Sequence, residues 1–345
     1  MIPILNVYYM LSYAFKVLSE QGYRDMATEK FQNAQDLCAG ILLTGLKNQL
    51  KRGLGKTYVF KNEILAFVRG KIDVAESLKT NSLSKRQLYC QYDELSVDSP
   101  MNRILKATML MLLHCDISLV RKKEIKKLLV FFSGVSSIDV ESINWHLRYD
   151  RNNQTYRMLI AICFFSIKSL IQSKENGSNK MMDFSEEQMS RLYEKFILEY
   201  YRKEYAKIGL QANPSQILWQ LDDDDDFMLP IMQTDITLQS GSRILIIDAK
   251  YYTHTTQVQF DVHTLHSNNL YQIFTYVKNK EASLKKQPHS VSGLLLYAKT
   301  DIDMVLNKTY SMDGNKIGAK TLNLDCPFSE IQKQLNSIVN EFQLV

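Results

Sequence analysis

The sequence has 345 residues, a formal net charge of +5, and hydrophobic and charged fractions of 45% and 23%. That length predicts about two domains on a prior of ~100–200 residues each, and the composition is that of an ordinary globular protein rather than a disordered chain. No apolar run reaches the ~18 residues of a membrane span, the N-terminus lacks the basic segment and cleavage site of a secretory signal, and five scattered cysteines (Cys38, Cys90, Cys115, Cys163, Cys326) without CxxC spacing argue against a zinc ribbon and fit a reducing cytoplasm.

Residues 3–20 are predicted as a helix with Leu5, Tyr8, Tyr9, Leu11, Phe15 and Leu18 on a broad apolar face. The aromatic run Asn6-Val7-Tyr8-Tyr9 is read as core packing. A second helix is expected over 29–51, stopped by Lys51-Arg52-Gly53. Residues 56–78 switch to strand character, with Arg69-Gly70-Lys71 as a turn, and form a small β element projecting between helical segments. Residues 93–100 read as a loop into a helix at 101–115. The basic run 121–127 is either a solvated helix face backed by Ile125, Leu128 and Leu129 or a strip for phosphate or a partner. A helix over 153–172 then leads into the polar linker 172–180. The expected domains are therefore 1–180 and 181–345.

Past the linker, Ser185-Glu186-Glu187-Gln188 has capping-box spacing and opens a helix to about 207. Its buried side is Met189, Leu192, Tyr193, Phe196, Ile197, Tyr200 and Tyr201, with Glu194 at the edge. The acidic run 222–226 cannot converge on one ion and is read as a solvated insertion. Residues 230–252 carry the strongest signal. Two β-rich runs flank Ser240-Gly241-Ser242, a two-residue hairpin signal. If Gly241 and Ser242 form the loop, Ser240 pairs with Arg243 and Asp235 with Asp248, their Cβ atoms roughly 4.5–5.5 Å apart. Lys250 leaves the strand on the same face as Asp248. Two acids and a lysine on a half-buried face are explained most simply by a divalent metal site; the alternative is a buried ion-pair network, which is destabilising without a functional reason. Residues 253–267, with His254, His263 and His266, look irregular. A helix over 268–281 places Gln272 and Tyr276 on one face. Strands at 293–297 and 321–324 and a helix at 327–344 complete an α+β chain whose second half is a mixed sheet sandwiched by helices.

An Asp, then Asp-x-Lys across a hairpin, flanked by one helix bearing Glu and another bearing Gln-x-x-x-Tyr, resembles the PD-(D/E)xK nuclease superfamily. Asp235, Asp248 and Lys250 carry the match, with Thr234 standing where that family places proline. Further segments recur along the chain: Ile2-Pro3, Asn6 to Ala14, Arg69-Gly70-Lys71-Ile72, Asn102-Arg103-Ile104, Leu192-Tyr193-Glu194-Lys195-Phe196, Ile247-Asp248-Ala249-Lys250-Tyr251-Tyr252 and Asn269-Leu270-Tyr271-Gln272. Together they resemble the McrC family, the nuclease subunits of McrBC modification-dependent restriction systems.

The resemblance implies a mostly helical, partner-binding N-terminal domain with its β element near 56–78, and a restriction-endonuclease-like C-terminal α/β domain. It also implies an McrB-like hexameric AAA+ GTPase as partner, double-stranded DNA containing modified cytosine as substrate, and Mg²⁺, with Mn²⁺ substituting, as cofactor. Asp235, Asp248 and the Ala249 carbonyl are then metal ligands, with Lys250 beside the attacking water. Glu194 either completes the metal shell or is a helix-edge acid; Gln272 and Tyr276 position the scissile backbone, or Tyr276 merely packs. GTP belongs to the partner, because Gly55-Lys56-Thr57 matches only the tail of a P-loop and Leu50 stands at its first glycine. A non-catalytic assembly factor and a stand-alone nuclease are the competing functions.

Overall fold

The structure is a computed structural model, and it describes residues 2–15, 18, 29, 31–149, 154–175, 186–223, 225–251, 256–259, 262–285, 288–299 and 305–344. The chain folds as two compact units, one formed by Met1–Phe31 with Asp183–Val345 and the other by Gln32–Met182. The cut expected near residue 180 has its counterpart, but the first 31 residues belong with the C-terminal unit rather than with an N-terminal domain. The cause is the aromatic stretch itself. On α1 (Ile4–Ala14), Tyr9 stacks on Phe328 at 4.5 Å, the Tyr13 hydroxyl donates to Glu204 at 2.8 Å, and the buried Asn6 amide donates to the Leu324 and Cys326 carbonyls at 2.8 Å each. Core packing of this stretch is thus what the structure has.

In the unit Gln32–Met182, α2 (Ala34–Leu50) starts five residues later than predicted, because the Asn33 side chain accepts the Asp36 N–H and caps it there. There follow β1 (Thr57–Leu65), β2 (Lys71–Ile72), α3 (Val74–Lys79) and β3 (Leu88–Ser96), then α4 (Pro100–Leu113), α5 (Leu119–Leu129) and α6 (Gln154–Glu175). The β element is antiparallel in the order β1-β3-β2. It differs from expectation twice: residues 74–79 are helical, capped by Asp73, and 93–96 are strand rather than loop. On β3 only Cys90 and Tyr92 are buried, so its alternation is too weak to read locally. On α5, Arg121 is bonded at 2.6 Å to the fully buried Asp36 while Ile125 and Leu128 pack inward, so the basic run is a helix face with one structural arginine. The helix α6 reaches into the predicted linker; residues 176–180, like the predicted cap Ser185, lie outside the described residues.

The other unit continues with α7 (Glu186–Glu204), β4 (Gln211–Asn213), β5 (Gln216–Ile217), β6 (Met232–Gln233), β7 (Ile236–Ser240) and β8 (Arg243–Lys250). The hairpin β9 (Thr256–Gln259) and β10 (Val262–Leu265), α8 (Ser267–Ser283), β11 (Ser290–Ala298), β12 (Asn307–Met312), β13 (Asn315–Leu322) and α9 (Phe328–Glu341) complete it. Residues 256–259 and 262–265 are therefore paired rather than irregular, while His254 lies outside the described residues. The main sheet is mixed, ordered β12-β13-β11-β8-β7-β4, with β8 and β13 both parallel to β11. Parallel neighbours bury a strand on both faces, which is why 244–247 read as an unbroken apolar run. From α8, Ile273 and Val277 pack on Ile244, Ile246, Val291 and Leu295. That approach depends on Gly293, where a Cβ would sit 2.7 Å from Ile273 and 2.9 Å from Val277. Asp222, Asp223, Asp225 and Asp226 are exposed, the solvated insertion expected. No helix among the described residues is long and apolar enough to cross a membrane.

Candidate active site

The site forms where the interior strand β8 runs out of apolar residues. Leu245, Ile246 and Ile247 are fully buried, and the strand then ends Asp248-Ala249-Lys250. Gly241, at φ +57°, supplies the left-handed residue of the hairpin turn, and Ser240 pairs with Arg243 as the sequence predicts. Regular pairing begins at Ile236 opposite Ile247, and Asp235 and Asp248 are the next residues beyond it on the two segments. The half-buried Asp235 accepts the Ala249 N–H on Oδ2 at 2.9 Å.

Asp248 is only 2% exposed. Lys250 Nζ approaches its Oδ2 to 2.9 Å as an ion pair, off hydrogen-bond geometry, and that oxygen has no hydrogen-bond partner among the described residues. A carboxylate oxygen at such depth that has one ion pair and no hydrogen bond is incompletely satisfied, which leaves room for a further cation. The neighbouring carboxyl records the same stress. Burial, with the charges of Asp248 and Glu194, pushes the Asp235 pKa up to about 7 against the smaller opposing pull of the Ala249 N–H and Lys250.

Lys250 is held from its other side by α8. Its ammonium donates to Gln272 Oε1 at 3.3 Å, Gln272 Nε2 donates to the Tyr276 hydroxyl at 2.9 Å, and that hydroxyl donates to the Gln233 carbonyl at 3.3 Å. The Gln-x-x-x-Tyr spacing thus forms a directional chain from the lysine to the backbone two residues before Asp235. Glu194 on α7 is half-buried and accepts from Ser190 Oγ at 3.1 Å; burial raises its pKa, which Ser190 and then Lys250 lower and Asp248 raises. Among the described residues no three His, Cys, Asp or Glu side chains converge closely enough to hold an ion. The charge of Glu194 nonetheless bears on Asp235.

Asp235, Asp248, Lys250, Gln272 and Tyr276 are brought together as the sequence suggests. Sequence reasoning missed Ser190, four residues before Glu194 on the same helical face, and the cluster Ser215–Thr234–Thr237 at the approach to Asp235. For the latter no one-dimensional pattern exists, since it joins segments nineteen residues apart. Two aspartate carboxylates make a hard oxygen donor set of the kind Mg²⁺ takes, and the Asp248 oxygen without a hydrogen bond fits such an ion.

Comparison with known proteins agrees over nearly the whole chain. The family model described as McrBC 5-methylcytosine restriction system component matches residues 6–298. The type IV methyl-directed restriction enzyme EcoKMcrBC of Escherichia coli strain K12 is 30% identical over 349 residues, spanning 99% of this chain and 98% of that protein. In fold, a chain of the refined half-complex from the tetradecameric assembly of Thermococcus gammatolerans McrB AAA+ hexamers with bound McrC is similar with a TM-score of 0.50 at 17% identity, over 98% of this chain and 76% of that one. A chain of the cryo-EM structure of the Thermococcus gammatolerans McrBC complex gives a TM-score of 0.43 at 19% identity, over 58% of each. By the extent of the model match and the full-length identity together, the chain belongs to the McrBC 5-methylcytosine restriction system component family.

Proposed function

We propose that this chain is the Mg²⁺-dependent endonuclease subunit of a type IV restriction complex, cutting DNA that contains modified cytosine and working with, and stimulating, a separate McrB-like hexameric AAA+ GTPase. The observation that carries the reading is the buried Asp248 carboxylate, ion-paired to Lys250 but without a hydrogen bond on that oxygen, beside the half-buried Asp235. Family membership supports the restriction role, and the relatives solved with McrB hexamers support the partner.

Asp235 and Asp248, with the Ala249 carbonyl as a further donor, would hold the ion. When bound, Mg²⁺ or Mn²⁺ supplies Lewis-acid polarisation of the scissile phosphate and relieves the repulsion between the two carboxylates. Lys250 places a positive charge where the phosphoryl oxygens gain negative charge, and its ammonium orients the attacking water. Gln272 holds that ammonium by its amide oxygen, and Tyr276 fixes the Gln272 amide in turn. Glu194 adds negative field behind the pair and biases the site toward cations. The β element exposes Tyr58 (74%) and Phe60 (61%) on β1 and Phe67 (63%) in the connection to β2, an apolar surface of the kind that marks a protein contact, and we assign the GTPase contact to it.

Reconstitution with an McrB-like GTPase, on methylated and unmethylated DNA, tests the reading. Asp248→Ala and Lys250→Ala should abolish GTP-dependent cleavage while stimulation of the partner's GTPase persists. Retained cleavage by both variants overturns the site. Cleavage by the isolated chain without GTP would identify a stand-alone nuclease instead.

A further inference from the structure

Two short ladders meet at Asp235, and they are out of step by one residue. The β5–β6 pair has Gln216 opposite Gln233 and Ile217 opposite Met232. It is extended by Ser215 opposite Thr234, where the Thr234 N–H donates to the Ser215 carbonyl at 2.9 Å. The β4–β7 pair then has Asn213 opposite Thr237 and Ala212 opposite Leu238. Between them one strand holds Pro214 alone and the other holds both Asp235 and Ile236. Two residues opposite one is the count of a β-bulge, a feature that bends a strand and re-aims a side chain.

The residue types explain the break. Pro214 has no N–H and cannot close a ladder rung on its neighbour. On one side of it, the buried Thr234 hydroxyl accepts the Ser215 N–H at 2.9 Å, lies 3.1 Å from the Ser215 carbonyl, and meets the Thr237 hydroxyl at 3.0 Å. The threonine pair thus spans Asp235 and Ile236 and ties the two ladders together. A proline at position 234 would forfeit the Thr234 N–H bond that ends the first ladder. Within the bulge, the Asp235 carboxylate turns to the strand's other neighbour, β8, and accepts the Ala249 N–H.

We propose that Pro214 and Thr234 are positioning residues that set the Asp235 carboxylate for metal through this bulge, a proposal that rests on the metal-dependent reading above. The test is Mn²⁺ binding to the full-length protein, followed by calorimetry, alongside thermal melting in EDTA. Thr234→Val removes the hydroxyl at equal volume, Thr234→Ser retains it, Pro214→Ala restores an N–H, and Asp248→Ala is the reference for a lost ligand. Residues that orient a ligand commonly contribute about ten-fold or more to metal affinity. Thr234→Val and Pro214→Ala should therefore bind Mn²⁺ at least that much more weakly, and Thr234→Ser should bind like the wild type. Wild-type Mn²⁺ affinity in both Thr234→Val and Pro214→Ala, whatever their melting temperatures, overturns the positioning role and leaves the metal site intact. Equal Mn²⁺ binding by the wild type and Asp248→Ala overturns the metal reading itself.

Discussion

Replacing Asp235 by Asn should make the metal-free protein more stable while disabling it. The Asp235 carboxyl titrates from an ordinary 3.8 up to about 7 in the folded chain. A raised acid pKa means the folded state holds its proton longer than the unfolded one. Stability is then undiminished below pH 3.8, falls as pH rises through the interval, and bears the full penalty above about 7. Each pKa unit is worth about 1.4 kcal/mol, but the group is only half-buried and solvent screens part of the effect, so about 2 kcal/mol is the expected cost at pH 8. Asparagine keeps an oxygen for the Ala249 N–H and carries no charge. For a unit of this size ~1 kcal/mol moves the melting temperature by ~2–4 °C. Asp235→Asn should therefore melt ~4–8 °C above the wild type in EDTA at pH 8, with the gain shrinking toward pH 5. Adding Mg²⁺ should raise the wild-type melting temperature and leave the variant unmoved. A variant that melts at or below the wild type in EDTA at pH 8 would refute the electrostatic argument.

Further outcomes follow from other contacts. Gln272→Leu breaks the bond to Lys250 while preserving the helix; cleavage by the reconstituted complex should fall by about 10²-fold, with DNA binding in Ca²⁺ unchanged in a filter assay. Gly293→Ala drives a methyl into Ile273 and Val277 and should cost about 1–3 kcal/mol in urea denaturation. Arg121→Ala removes the counter-ion of the fully buried Asp36 carboxylate and leaves it the backbone N–H groups of Gln32 and Ser118; destabilisation of about 3 kcal/mol is expected in the same measurement. Tyr58→Ser with Phe60→Ser should lose GTPase stimulation and keep the wild-type circular dichroism, and undiminished stimulation would remove the β element from the partner contact.

The hairpin of the candidate site was legible because three local signals agreed there: a Gly-Ser turn, apolar strands, and charges confined to strand ends. Its register follows from counting. The polar strands were not legible in the same way. Five of the six residues of β12 are exposed, and β3 carries Gln91, Asp93 and Glu94, so pairing rather than burial makes them strands. The position of α1 escaped for another reason: its aromatic face says that it packs, and nothing local says on what. The bulge at Asp235 appears only when the offsets of two ladders are compared, which requires knowing all four strands. The roles of Gln272 and Tyr276 were visible as a spacing, but their target, the Lys250 ammonium, was not.

The membership of α1 in the C-terminal unit carries a consequence for biosynthesis. Asn6 leaves the ribosome early, yet the carbonyl it holds at Leu324 lies 318 residues downstream. The unit between them, Gln32–Met182, is thus an insertion that can fold while the remainder is still being made, because its own contacts are all in hand. The other unit must wait, its first helix unpaired, until α7 and α9 emerge. Long-range closure of this kind is slow, and it orders events usefully. A chain interrupted during synthesis has a folded insert but neither the closed sheet unit nor its assembled aspartate pair, so the candidate site is completed last.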